Sequence, residues 1–325
     1  MHYRNMGKWG AKLSVVGLGS YLTIGYKLDD KTSRETIRKA YDGGINFFDT
    51  ADAYNNGEAE KVLGKYLSEF ERSSLFILTK CWAPMSDDIN DRGLSAKHIF
   101  ESCHKSLKRL RTDYLDVLMC HRSDPETPLE ETVRTLDDLA RQGKILYWGV
   151  SEWPAHLIVS ANYIARDIGA RPIGVSEPRY NLLYRYPERN LFPATQAEGI
   201  GNVVFSALAH GMLTGKYKPG EAPPAGTRAA DDDTNMILKK LYWTEENKEK
   251  AQKFVTFAQE MNVTPAQLAL AWCLRNPAVT SVISAATKIS QVEDNLKAAD
   301  VTIPDEIAGN IETLFPAPET VESEH

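Results

Sequence analysis

Asn46-Phe47-Phe48-Asp49-Thr50-Ala51-Asp52-Ala53-Tyr54 begins as a short apolar strand and breaks at once into polar residues. The same construction returns at Phe76-Ile77-Leu78-Thr79-Lys80 and at Leu115-Asp116-Val117-Leu118-Met119-Cys120-His121. Apolar runs of this kind alternate with amphipathic helical stretches from Ser14 to about Ala285, the signature of repeated βα units and a parallel sheet. Eight strands are expected, at Ser14–Gly17, Asn46–Phe48, Leu75–Thr79, Tyr114–Cys120, Ile145–Val150, Pro172–Val175, Val203–Ser206 and Ser281–Ser284. Between them, Thr32 or Ser33 can cap a first helix that Gly43-Gly44 ends. Ser95 opens another, and a third runs from Leu129 to Arg141 and closes at Gly143. Eight alternations without a break in composition predict an α/β fold, a closed (β/α)8 TIM barrel forming a single domain over residues 1–315.

Two segments stand outside the repeat. Residues 3–13, with Gly7 and Gly10 as turn residues, read as a small hairpin capping the barrel floor. Lys218 to Asp233 is rich in Pro, Gly, Ala and Asp and follows the seventh strand, as a long binding loop or lid does. Residues 316–325 are acidic and contain proline, and are expected to be disordered.

Composition narrows the function. With 325 residues, 42% hydrophobic content, a net charge of −6 and no basic run, the chain can build a large core but offers no nucleic-acid surface. Its four cysteines, Cys81, Cys103, Cys120 and Cys273, show neither C-x-x-C nor zinc-ligand spacing and read as small buried residues. No stretch is long enough to span a membrane, and the first residues lack the apolar core of a secretion signal, so a cytoplasmic setting is expected.

Barrel active sites form at the C-terminal ends of the strands. Asp49, Lys80 and His121 fall there on three consecutive strands, with Tyr54 five residues beyond Asp49. A lone residue of any of these types at a strand end usually serves a local salt bridge or turn; their joint occurrence points to chemistry. A free tyrosine, with a pKa of about 10, is a poor acid near neutrality unless a cation stabilises the phenolate. Lys80 is expected to lower the Tyr54 pKa, Asp49 to hold Lys80 charged, and His121 to orient a carbonyl oxygen. Such a set lacks only a hydride.

These motifs, Asp49-Thr50-Ala51 with Tyr54, Thr79-Lys80, and His121-Arg122-Ser123-Asp124, resemble the catalytic tetrad of the aldo-keto reductases in order and spacing. The resemblance runs from Tyr3 to about Asn295. The long segment after the seventh strand makes the chain more similar to the branch containing potassium-channel β subunits and bacterial oxidoreductases. Where channel members can carry asparagine, this chain has His121. The family implies NADP(H), bound extended across the barrel mouth. A Rossmann reading fails because Gly17-Leu18-Gly19 is followed by Leu22 where a third glycine is needed.

The resemblance assigns Ser20 and Tyr21 to cofactor contact after the first strand and Ser151 to the nicotinamide carboxamide. Glu177 stands where a glutamine usually shares that contact; a carboxylate there can accept from the amide NH2 but cannot donate to its oxygen. Phe205 matches the aromatic residue that stacks on the nicotinamide. Ser206, Leu208 and Gly211 belong to the loop over the pyrophosphate, with Lys216 and Arg228 as anion contacts. Thr287, Lys288 and Gln291 correspond to the 2′-phosphate end, and Asp294 and Asn295 to the adenine amine. Lys216, Arg228 and Lys288 favour NADPH over NADH.

Tyr21, Tyr26, Trp82 and Trp153 are candidates to line a pocket for a small-molecule carbonyl substrate, though each taken singly also suits core or rim packing. No metal site is expected, since no strand-end cluster such as H-x-H occurs. That weighs against a barrel hydrolase. The alternative to an enzyme is an NADP-binding sensor of the channel-β kind with little turnover. A barrel of this size can act alone or pack into a homo-oligomer through its outer helices.

Overall fold

The computed structural model describes residues Met1–Thr320. Its first two strands, β1 (Tyr3–Asn5) and β2 (Lys12–Ser14), pair antiparallel, with Gly7 in the turn at φ +57°. Any side chain on Gly7 would strike the backbone of Gly199–Gly201, so the turn can sit flat on the barrel only as glycine. Met6 and Leu13 of this hairpin join the inner apolar cluster, which closes the barrel floor as the sequence predicts.

The barrel consists of β3 (Val16–Gly19), β4 (Phe47–Asp49), β5 (Phe76–Cys81), β6 (Leu115–Cys120), β7 (Ile145–Ser151), β8 (Val175–Glu177), β9 (Gly201–Val204) and β10 (Val279–Ser284). All neighbours are parallel, and β10 pairs back onto β3 to close the ring. The helices are α1 (Asp30–Asp42), α2 (Glu58–Leu67), α3 (Ala96–Leu110), α4 (Leu129–Arg141), α5 (Ala155–Asp167), α6 (Leu191–Glu198), α7 (Met236–Leu241), α8 (Glu245–Glu260), α9 (Pro265–Arg275), α10 (Ile289–Lys297) and α11 (Asp305–Leu314).

Strand alternation divides the core in two. Phe47, Phe76, Leu78, Val117, Met119, Val175, Val203 and Ile283 fill the barrel interior. Their neighbours Phe48, Ile77, Leu118 and Val204 face outward and pack beneath the helices. The helices begin where short polar side chains can accept their free amides. Ser95 accepts from His98 N, and Thr264 and Gln267 form a reciprocal capping box at α9.

Several boundaries differ from expectation. The cap of α1 is Asp29, which accepts from Thr32 N at 2.6 Å; Thr32 and Ser33 lie inside the helix. The first barrel strand starts at Val16, because Ser14 is already committed to Tyr3 in the hairpin. The strand expected at Pro172 begins at Val175, since proline has no amide to give to a ladder.

The 218–233 segment contains one short 3₁₀ turn at Arg228–Ala230 and is tied down by an ion pair between Lys27 and Asp231. Of the expected disordered tail, residues 321–325 lie outside the described residues; within 316–320, the Pro318 carbonyl accepts from Arg189. No helix among the described residues is long and apolar enough to cross a membrane.

Candidate active site

The inward register that fills the barrel also delivers its chemistry. Two residues beyond Phe47, Leu78 and Val175, on the same face of the same strands, stand Asp49, Lys80 and Glu177, and His121 follows Met119 at the same spacing, one residue past the end of β6. Lys80 is completely buried. Its Nζ is ion-paired with Asp49, donates to Thr50 O at 3.0 Å and to the Tyr54 hydroxyl at 3.4 Å, and lies 3.3 Å from Glu177 Oε1. Tyr54 enters from the turn between β4 and α2. Its ring meets that of His121 edge-on, 5.8 Å between centroids, and lies 5.0 Å from that of Tyr21. The four expected residues are thus together, and Glu177 joins them as a fifth.

Burial and charge set the protonation of this group. Burial opposes the Lys80 ammonium, but Asp49, Glu177 and Tyr54 outweigh it and hold the lysine charged, above its ordinary pKa. Burial raises the Tyr54 phenol, Lys80 draws it back, and the charges of Asp49 and Glu177 raise it further. The net displacement is upward. Lys80 lowers the phenol as expected, but its pull is smaller than the effect of burying the phenol, which the sequence did not show. His121 is lowered to about 2, first by burial and then by Lys80 and Arg122, so its imidazole is neutral. Burial raises Asp49, which Lys80 counters, while Glu177, also facing the negative charge of Asp49, is raised well above the usual carboxylate range.

Around the mouth, Ser20 follows β3 with its hydroxyl buried and unpartnered among the described residues, and Tyr21 lies on the rim. Ser151 donates to the Glu177 carbonyl at 3.1 Å. Phe205 packs against the inner cluster just past β9. Beyond it, Ser206, Ala209, His210 and Gly211 all take positive φ, and Leu208 packs against the outer core. At Gly211 the left-handed φ of +96° favours glycine; the atom an added Cβ would meet first, at 2.8 Å, is the flexible end of Lys216. Asn181 holds this loop through the Ser206 carbonyl at 3.0 Å, and His210 bridges Ser206 Oγ (3.1 Å) to Arg228 (2.8 Å).

Neither Lys216 nor Arg228 has a salt-bridge partner among the described residues, and partial burial of the charged groups lowers both pKa values. Lys216 is exposed as a residue, and Arg228 nearby also lowers its pKa. Unpaired cations beside a left-handed loop suit an anion. Orphaned buried polar atoms in Ser20, His121 and Glu177 likewise suit a polar ligand across the mouth. The residues present therefore fit a dinucleotide phosphate.

At the far end, Gln291 accepts from both the amide (2.8 Å) and the hydroxyl of Thr287, with Lys288 exposed at the start of α10 and Asn295 buried. Asp294 is already engaged: its carboxylate accepts from Thr264 (2.7 Å) and Gln267 (2.6 Å), supporting the α9 cap. The family resemblance assigns it to the adenine amine; its support of the α9 cap is a role that reading did not include.

A cleft of about 230 Å³ is lined by Tyr21, Tyr26, Tyr54 and Asn55. Trp82, two residues past Lys80, is half-buried against the outer core, and Trp153 is a core residue at 3% exposure. Trp153 thus packs in the core, the other placement its sequence allowed, and its indole N–H has no partner among the described residues. His210 was missed, because an isolated histidine in Ala209-His210-Gly211 carries no spacing signal. Behind the site, Asp52 accepts from Ser102 at 2.8 Å, and Glu60 binds Thr79 (2.6 Å) and Arg109 (2.5 Å). No group of three or more metal-ligating side chains occurs among the described residues.

The family model described as "Aldo/keto reductase family" matches residues 15–315. Among curated relatives, a probable voltage-gated potassium channel subunit beta from Arabidopsis thaliana is 41% identical over 305 residues, covering 93% of this chain and 92% of the relative. A protein of the same description from Oryza sativa subsp. japonica is 38% identical over 97% of this chain and 96% of its own length. A putative voltage-gated potassium channel subunit beta from Schizosaccharomyces pombe is 40% identical over 92% of this chain and 88% of its own. With a matching family model over nearly the whole barrel and relatives of this similarity end to end, the chain belongs to the aldo/keto reductase family.

Proposed function

We propose that the protein is an NADPH-dependent reductase of aldehydes or ketones. One observation carries the reading: the buried Lys80 ammonium donates to the Tyr54 hydroxyl at 3.4 Å while paired with Asp49. When bound, NADPH supplies a hydride for the carbonyl carbon. Tyr54 gives its proton to the carbonyl oxygen, and Lys80 stabilises the phenolate left behind. Neutral His121 donates a ring N–H to the same oxygen and orients it; it is no acid at neutral pH. A Tyr54 pKa above its ordinary value keeps the phenol protonated before each turnover.

Ser20, Tyr21, Ser151 and Phe205 would hold the nicotinamide half, Lys216 and Arg228 the phosphates, and Thr287 with Lys288 the 2′-phosphate. Tyr21 and Tyr26 would flank the substrate. Four buried, unpaired cysteines suit a reducing cytoplasmic setting.

Loss of NADPH absorbance with a panel of aldehydes and ketones, run beside Tyr54→Phe, tests the reading. Turnover by the wild type that falls about 10²- to 10⁴-fold in the variant is expected. The relatives' names favour a second reading, a regulatory subunit that binds NADP and turns over little. Tight binding with no turnover of any carbonyl would select it.

A further inference from the structure

Glu177 reaches Lys80 from three strands further round the barrel than β5, on the inward face that also carries Asp49 and His121. Its Oε1 lies 3.3 Å from the ammonium, and its Oε2 is buried without a donor among the described residues. We propose that Glu177 is a positioning residue of the proton relay: with Asp49 it forms a cluster of two carboxyls around one ammonium that holds one exchangeable proton, and the state of that proton sets how readily Tyr54 gives up its own. This rests on the reductase reading of the site.

The charge count makes the argument. Asp49 and Glu177 both ionised beside Lys80 would leave a net negative charge in a buried site, which the surroundings do not offset. Lys80 from β5, Asp49 from β4 and Tyr54 from the turn after β4 are the titratable groups that act on Glu177 or stand against Lys80 with it. The neighbouring strands bring uncharged Ser151 and Phe205, and His121 is neutral.

One carboxyl therefore keeps a proton, and Glu177 is the one: Asp49 holds the closer pairing with Lys80, while burial and the charge of Asp49 both favour neutral Glu177. Neutral Glu177 donates its O–H to Asp49, which steadies the Asp49–Lys80 pair. As pH rises and Glu177 ionises, the unbalanced charge falls beside Tyr54 and favours phenol over phenolate. The acid then stays protonated to higher pH than Lys80 and Asp49 alone would allow.

Two readouts on the full-length protein test this. In the infrared, the wild type minus Glu177→Gln difference at neutral pH should show the carbonyl stretch of a protonated carboxyl, which fades as pH is raised. The band should also vanish in Asp49→Asn, where Glu177 becomes the only carboxyl beside Lys80 and ionises. In the pH profile of carbonyl reduction, Glu177→Gln should move the alkaline limb down by about one unit, so that on that limb its rate falls about tenfold relative to wild type. Cooperative melting of both variants checks their folding. No band at neutral pH, a band that survives in Asp49→Asn, or an unmoved limb in folded Glu177→Gln would each overturn the proposal. Should no carbonyl be turned over, the reductase reading fails while the infrared band by itself still decides the cluster.

Discussion

Asp52 shows how far the site's electrostatics reach beyond the residues that do chemistry. Its amide donates to the Lys80 carbonyl at 3.1 Å, while its carboxyl is pushed up to about 7 by burial and then by the charge of Glu60, against the opposing pull of Ser102 and Arg109. A folded-state pKa raised above the unfolded value means that the group's contribution to stability is fully present below about pH 4 and is lost as pH rises through 7. Three units correspond to at most about 4 kcal/mol. Asp52→Asn should therefore gain stability relative to wild type between pH 5 and pH 8 in urea denaturation; a difference that does not change with pH would refute the assignment. At this scale the sequence was legible where local parity decides: Phe76, Leu78 and Lys80 share a face, so a charged residue was bound to cap an apolar stack. The Glu177–Lys80 contact was not legible, because nothing in the local pattern of β8 reports what faces it across a closed barrel.

At the scale of elements, close approach overrides propensity. Gly64 lies within α2, where alanine would normally be favoured by about 1 kcal/mol. A Cβ there would stand 2.5 Å from the backbone of Leu110 at the end of α3. Backbone cannot rotate aside, and overpacking of this kind costs about 1–3 kcal/mol, so the packing term wins. Gly64→Ala should lower the urea midpoint; an unchanged or raised midpoint would show that the α2–α3 crossing has slack. Element type was legible throughout the barrel because apolar period separates strand from helix, and Ser95 correctly marked the start of α3. Ends were less so. Thr32 and Ser33 read as caps, yet Asp29 three residues earlier takes that place and puts both inside the helix, and Ser14 could serve the hairpin or the barrel until pairing with Tyr3 decided it.

The whole molecule carries a net charge of −6, yet sets Lys216 and Arg228 without salt-bridge partners among the described residues at one side of its mouth. Closed parallel topology is what makes this possible: all eight strands end on one rim, so side chains far apart in sequence converge there. That convergence was legible in outline, from four residue types at successive strand ends. The roles of Asp294 and Trp153 were not, since only tertiary packing shows that one supports the α9 cap and the other fills the core. The central claim is that this rim directs hydride to a carbonyl carbon. It is tested most directly by supplying NADPH deuterated at the nicotinamide C4 with an aldehyde substrate and analysing the alcohol by mass spectrometry. The account predicts one deuterium on the carbinol carbon, formed by the wild type and about 10²- to 10⁴-fold more slowly by Tyr54→Phe; cofactor bound and recovered unchanged, with no labelled alcohol from any substrate, would contradict it.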